Sequence, residues 1–120
     1  MWLARSLDGH RLAGVVPADA RMTDRLTLGY RRAAVRTGNP VAPAGAGGLR
    51  GHEFHYSAIE PAGDALDLSG RFGSGPAGFA TPTLLASYLH LHLAATPEVA
   101  ERFVAAAADA AAVPLHVPRT

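Results

Sequence analysis

Two imidazoles stand two residues apart in Ala86-Ser87-Tyr88-Leu89-His90-Leu91-His92-Leu93. Histidine titrates closest to neutral pH and is the usual general base where a thiol or hydroxyl must become a nucleophile. Read with the two-residue period of a strand, Tyr88, His90 and His92 are expected on one face. Ser87, Leu89, Leu91 and Leu93 then form an apolar face that needs a core. A second cluster lies in Gly51-His52-Glu53-Phe54-His55-Tyr56-Ser57. There the same period puts His52, Phe54 and Tyr56 on one side and Glu53, His55 and Ser57 on the other. A His-x-x-His zinc pair fails at that spacing, whereas Glu53 and His55 are close enough to act as a polarised pair on catalyst or substrate.

His90 and His92 admit three readings. One of them is a base that activates a nucleophile from another strand. As metal ligands they have suitable same-face spacing, with His55 as a third in the manner of an open catalytic zinc site. The bland reading is a hydrogen-bonded pair at a sheet edge. No serine offers a nucleophile elbow: Ser74 lies in Phe72-Gly73-Ser74-Gly75, without Gly-x-Ser-x-Gly spacing, and Ser6, Ser57, Ser69 and Ser87 have no such context. The 120 residues contain no cysteine, which excludes disulfides, thiolate metal sites and a cysteine nucleophile within the chain. All basic residues are arginine. The absence of lysine excludes a Walker-type phosphate loop and Schiff-base chemistry. A formal net charge of +1 with dispersed arginines gives no case for nucleic acid, and solvated surface is their expected place. No apolar run reaches the length of a membrane span, and Met1-Trp2-Leu3-Ala4-Arg5 lacks the features of a signal peptide. A cytoplasmic address is the default expectation.

The elements that must carry these groups fit one domain with a real core, 48% of the chain being hydrophobic. Residues 2–7 read as the end of a short helix, and Asp8-Gly9 is a turn signal. Residues 26–35 read as a strand, 37–48 as a surface loop, 51–59 as a second strand, and 65–68 as a hairpin-like return. The glycine-rich stretch 69–78 is expected to be a flexible loop able to sit over a site. Residues 84–93 form the histidine strand. Thr96 is placed to cap a final helix, with Pro97 in its first position and Glu98 and Glu101 near its positive end. Val99, Phe103 and the alanines follow helical spacing, and Pro114 stops the run.

Three segments, in this order, resemble one family: Leu26-Thr27-Leu28-Gly29-Tyr30-Arg31, Arg50-Gly51-His52-Glu53-Phe54-His55-Tyr56-Ser57 and Ala86-Ser87-Tyr88-Leu89-His90-Leu91-His92. Together they look like the C-terminal part of cobyrinic acid a,c-diamide synthase, an enzyme of cobalamin biosynthesis. Glu-Phe-His-Tyr-Ser and His-Leu-His favour that branch over the related cobyric acid synthases. The resemblance implies an α/β fold: an incomplete flavodoxin-like sandwich of the class I glutamine amidotransferases, strand-rich with a C-terminal helix, over residues 1–113, with 114–120 as a tail. It further implies a ligase in which a cysteine attacks the glutamine amide and releases ammonia. A separate domain using ATP and Mg²⁺ activates the a and c carboxylates of cobyrinic or hydrogenobyrinic acid. In that scheme His90 is the catalytic base, with His92, Glu53 and His55 as supporting candidates and no resident metal. Glu53 serves as the orienting group only if its strand lies beside that of His90.

The family's Gly-x-Cys-Gly-Gly-Tyr-Met motif has no counterpart here, so Met1 reads as an internal methionine and the chain as a segment without the nucleophile or the ATP domain. Glutamine and a corrinoid are the implied substrates, and a separately encoded N-terminal half is an implied partner. The alternatives are a non-catalytic amidotransferase-like module docked on such a partner, or a histidine metal-binding domain. Without its neighbours, the strand at 26–35 is expected to be an exposed, aggregation-prone edge.

Overall fold

The computed structural model describes residues 1–71 and 73–112. Two long strands dominate it, β3 (Asp19–Val35) and β4 (Leu49–Glu60), paired antiparallel from Asp19↔Glu60 to Ala33↔Leu49. Alternation in the sequence sets their faces. Leu49, Gly51 and Glu53 are buried on β4, while Arg50, His52 and Phe54 between them are exposed. Between Met22 and Thr27 the register shifts, so the Thr23-Asp24-Arg25-Leu26 stretch bulges out of the ladder.

Around this pair lie β1 (Ser6–Leu7), β2 (His10–Arg11), β5 (Leu66–Gly70), β6 (Gly73–Ala77) and β9 (His90–Leu91). The sheet order is β2-β1-β3-β4-β9, with β5 on β3 and β6 on β5. Asp8 and Gly9 both have positive φ and close the two-residue β1–β2 hairpin as a type I′ turn. Apart from the parallel β1/β3 pair, every pairing between these strands is antiparallel. A separate hairpin joins β7 (Phe79–Thr81) and β8 (Leu84–Ala86), and after a 3-10 turn at Leu93–Ala95 the chain enters α1 (Pro97–Ala112). The architecture is mixed α/β, strand-rich with a C-terminal helix.

The core lies on one side of the sheet. Ala33, Val35, Leu49, Leu66, Leu68 and Val99 form one cluster, against which Leu85, Leu89 and Leu91 pack. Ala4, Val16 and Ala20 form a second, with Met1, Leu7, Ile59 and Phe79 around it. The other side has no layer over it among the described residues. Leu28, Tyr30, Phe54 and Tyr56 are 54%, 88%, 56% and 46% exposed there.

Several expectations need correction. Residues 2–7 are turns leading into β1, not helix, and Trp2 is exposed. The glycine-rich stretch is not a loop, because its second half is β6, an edge strand that tolerates Pro76 and pairs with β5 from Leu66↔Ala77 to Gly70↔Gly73. Within the strand at 26–35, β4 pairs with residues 27–33 on one edge, while β5 covers only residues 32–35 of the other, β1 pairing earlier in β3 at Asp19 and Ala20. Among the described residues the expected open edge is thus covered only at its C-terminal end, and the open apolar face adds a second aggregation hazard. Pro97 does start the helix, but the Thr96 hydroxyl donates to the His92 carbonyl (3.3 Å) instead of capping it. Phe103 is 57% exposed, so α1 is anchored mainly by Val99. Pro114 and the tail 114–120 lie outside the described residues.

Candidate functional site

The histidine strand is not continuous. β8 ends at Ala86 and β9 begins at His90, with a bend at Tyr88. The cause is local: the Ser87 hydroxyl oxygen accepts a hydrogen bond from the Leu89 amide (3.0 Å), a turn-forming contact that breaks the period of two. Tyr88 and His90 consequently emerge on opposite sides of the sheet, which overturns their expected common face.

On the outer side, His90 is the direct cross-strand partner of His52, and the two rings stack with centroids 5.0 Å apart and planes 14° from parallel. His90 Nδ1 lies 3.2 Å from the His52 carbonyl oxygen. A carbonyl only accepts, so Nδ1 is the donor in that contact, and in the neutral tautomer Nε2 of this exposed ring is the acceptor nitrogen. Gly51 makes the arrangement possible, since a Cβ there would collide with the His90 carbonyl. His92 borders the same face, in a groove shared with His52, Arg32 and Arg50.

On the inner side lies a chain of partly buried polar contacts. Arg31 Nε donates to Glu53 Oε2 (2.9 Å), and Glu53 Oε1 meets His55 Nε2 at 3.3 Å. His55 Nδ1 faces the Ser57 carbonyl at 2.7 Å, and the Ser57 hydroxyl shares a 2.7 Å hydrogen bond with the Tyr88 phenol. The Tyr88 ring stacks on His55, centroids 3.7 Å apart. Both ring nitrogens of His55 face acceptors, so both contacts are fully made when the ring carries two protons. Glu53 and His55 are thus in contact on one face, and Glu53, Ser57 and Tyr88 line a cavity of about 390 Å³ with Leu85 and Phe79.

The two clusters are separated by the sheet. β4 and β9 are adjacent, yet Glu53 points away from the His52 side on which His90 stands, so the neighbouring strand does not supply His90 with that carboxylate. For the same reason His55 cannot complete a metal site with His90 and His92, and no group of three or more His, Asp or Glu side chains could hold a metal among the described residues. Arg31 was missed as a site residue. It is no solvated surface arginine, its side chain being 17% exposed, and the only sequence signal was its place beside the Leu-Gly-Tyr motif. Among the described residues no helix is long and apolar enough to cross a membrane.

The chain is 45% identical over 106 residues to a hydrogenobyrinate a,c-diamide synthase of Streptomyces coelicolor, covering 87% of this chain and 22% of that protein. A hydrogenobyrinate a,c-diamide synthase of Thermobifida fusca is 43% identical over 88% of the chain and 24% of its own length. A cobyrinate a,c-diamide synthase of Thermoplasma acidophilum is 37% identical over 88% of the chain and 26% of its own. No family model and no solved structure matches the chain. The chain spans about a quarter of the length of these curated relatives. Over nearly all of its residues the chain is therefore similar to a segment of the cobyrinate and hydrogenobyrinate a,c-diamide synthases.

Proposed function

We propose that this chain forms the histidine-bearing part of a glutamine amidotransferase domain, flavodoxin-like when complete, in a ligase that converts the a and c carboxylates of cobyrinic or hydrogenobyrinic acid to carboxamides. His90 is the base. Its Nε2 takes the proton from a cysteine thiol supplied by polypeptide outside these 120 residues, and the thiolate attacks the glutamine amide. The tetrahedral intermediate collapses as the base returns a proton to the leaving nitrogen, and ammonia departs. The observation that carries this reading is the 35–45% identity to named a,c-diamide synthases across most of the chain. The accessible His90 ring, held by its Nδ1 contact, supports it.

A carboxylate must be activated before ammonia can displace its oxygen, and ATP with Mg²⁺ supplies that chemistry in this proposal. The residues present do not fit the nucleotide. There is no lysine, and among the described residues no glycine-rich loop opens a helix, so no step is assigned to it. The open apolar outer face supports packing against the further polypeptide that the reading requires. A cytoplasmic setting is part of the same proposal.

The test uses a full-length synthase carrying this segment. His90→Ala is expected to lower glutamine-dependent amidation by about 10²–10⁴, the range for losing a general base, while free ammonia still supports synthesis. If both activities fell together, His90 would be structural and the assignment lost. The 120-residue chain by itself is expected to release no glutamate from glutamine, and measurable release would overturn the need for an outside thiol.

A further inference from the structure

The outer face carries a second feature that the amidation chemistry leaves unused. Arg32 of β3 and Arg50 of β4 are direct cross-strand partners, so two guanidinium stems rise side by side from one row of the sheet. Like charges placed opposite each other destabilise a strand pair. Neither guanidinium has an ion-pair partner among the described residues, although Arg5, Arg31 and Arg36 each have one. Ser69, partner of Arg32 on its other flank, extends the row.

These residues line a groove of about 670 Å³ with Tyr30, His52 and His92. Its polar side chains are guanidinium, imidazole, phenol and hydroxyl, and no aspartate or glutamate faces it. Arg31 also borders it, but its guanidinium is turned to Glu53 on the inner side. Two planar forks in a cavity walled by donors match carboxylate or phosphate oxygens, which each fork can bind through two parallel hydrogen bonds. We propose that the Arg32–Arg50 groove is a binding site for a small polyvalent anion carrying carboxylate or phosphate groups. The anion supplies the missing counter-charge and removes the repulsion between the two strands. The site stands on its own geometry and does not depend on the role given to His90.

Calorimetric titration of the 120-residue chain with citrate, and separately with pyrophosphate, tests this at about 20 mM salt, where screening is weak. Saturable binding of at least one is expected, and the tighter of the two identifies the anion class. Arg32→Gln with Arg50→Gln is expected to weaken binding about tenfold or more, as for loss of charge-assisted hydrogen bonds. Arg11→Gln, on the exposed β2, should leave it within about twofold. The paired variant relieves repulsion, so its thermal unfolding should come no earlier than that of the parent, which separates lost binding from lost fold. No saturable binding of either anion, or an equal loss in Arg11→Gln, would overturn the site.

Discussion

Glu53 shows how much one carboxylate settles in this chain. It is 8% exposed, salt-bridged to Arg31 and in contact with His55, so two cationic or proton-bearing groups depend on it. Glu53→Gln keeps the shape and removes the charge. Arg31 is then left partly buried without its counter-ion, and the variant is expected to lose about 3 kcal/mol, read from urea denaturation. An unchanged midpoint would mean that the cluster adds nothing to stability. His90 behaves differently. Its ring is exposed and its stacking partner His52 is exposed too, so His90→Ala should change stability by no more than about 0.5 kcal/mol. The contrast separates an inner cluster tied to stability from an outer one whose side chains can be removed without unfolding the chain.

At the scale of the element, β9 is the part most open to disturbance. It is two residues long and touches β4 through Gly51↔Leu91 and His52↔His90. Gly51→Ala drives a methyl group into the His90 carbonyl, and the expected result is a loss of about 1–3 kcal/mol with β9 lifted from the sheet. Amide exchange at residues 90 and 91 should then rise to the level of a loop. Protection equal to that of the parent would show that the strand is held by something else. The bend before β9 is likewise local. Ser87→Ala removes the hydroxyl that holds the Leu89 amide, and is expected to lower stability by about 1 kcal/mol and to loosen the Tyr88–His55 stack in NMR spectra.

The whole molecule is a sheet with a core on one side and open apolar groups on the other. Leu28, Tyr30, Phe54 and Tyr56 do not form part of either buried cluster, so Leu28→Ser with Phe54→Ser should leave the unfolding free energy within about 1 kcal/mol of the parent. The same pair should reduce self-association measured by light scattering, since such patches otherwise seek partners. A collapse in stability would instead make that face part of the core. His52, His90 and the Arg32–Arg50 groove are all on this face, so both proposals concern the same side of the sheet.

Much of the local chemistry was legible in the residues. Strands at 26–35 and 51–59 were legible, although residues 19–25, the first part of β3, were not; the Asp8-Gly9 turn follows from its need for positive φ, and the helix start from Pro97. The face of Glu53, His55 and Ser57 followed from the period of two, and the family from three short motifs. Pairing was not legible. Glycines at 70, 73 and 75 signal a loop in isolation, yet β5 offers β6 an edge to hydrogen-bond, and backbone pairing needs no particular side chain. The split between Tyr88 and His90 hung on one serine hydroxyl choosing a nearby amide, a competition that strand periodicity does not register. Residue type set which groups could take or carry a proton. Only the sheet, by putting its own thickness between them, decided which of those groups could act together.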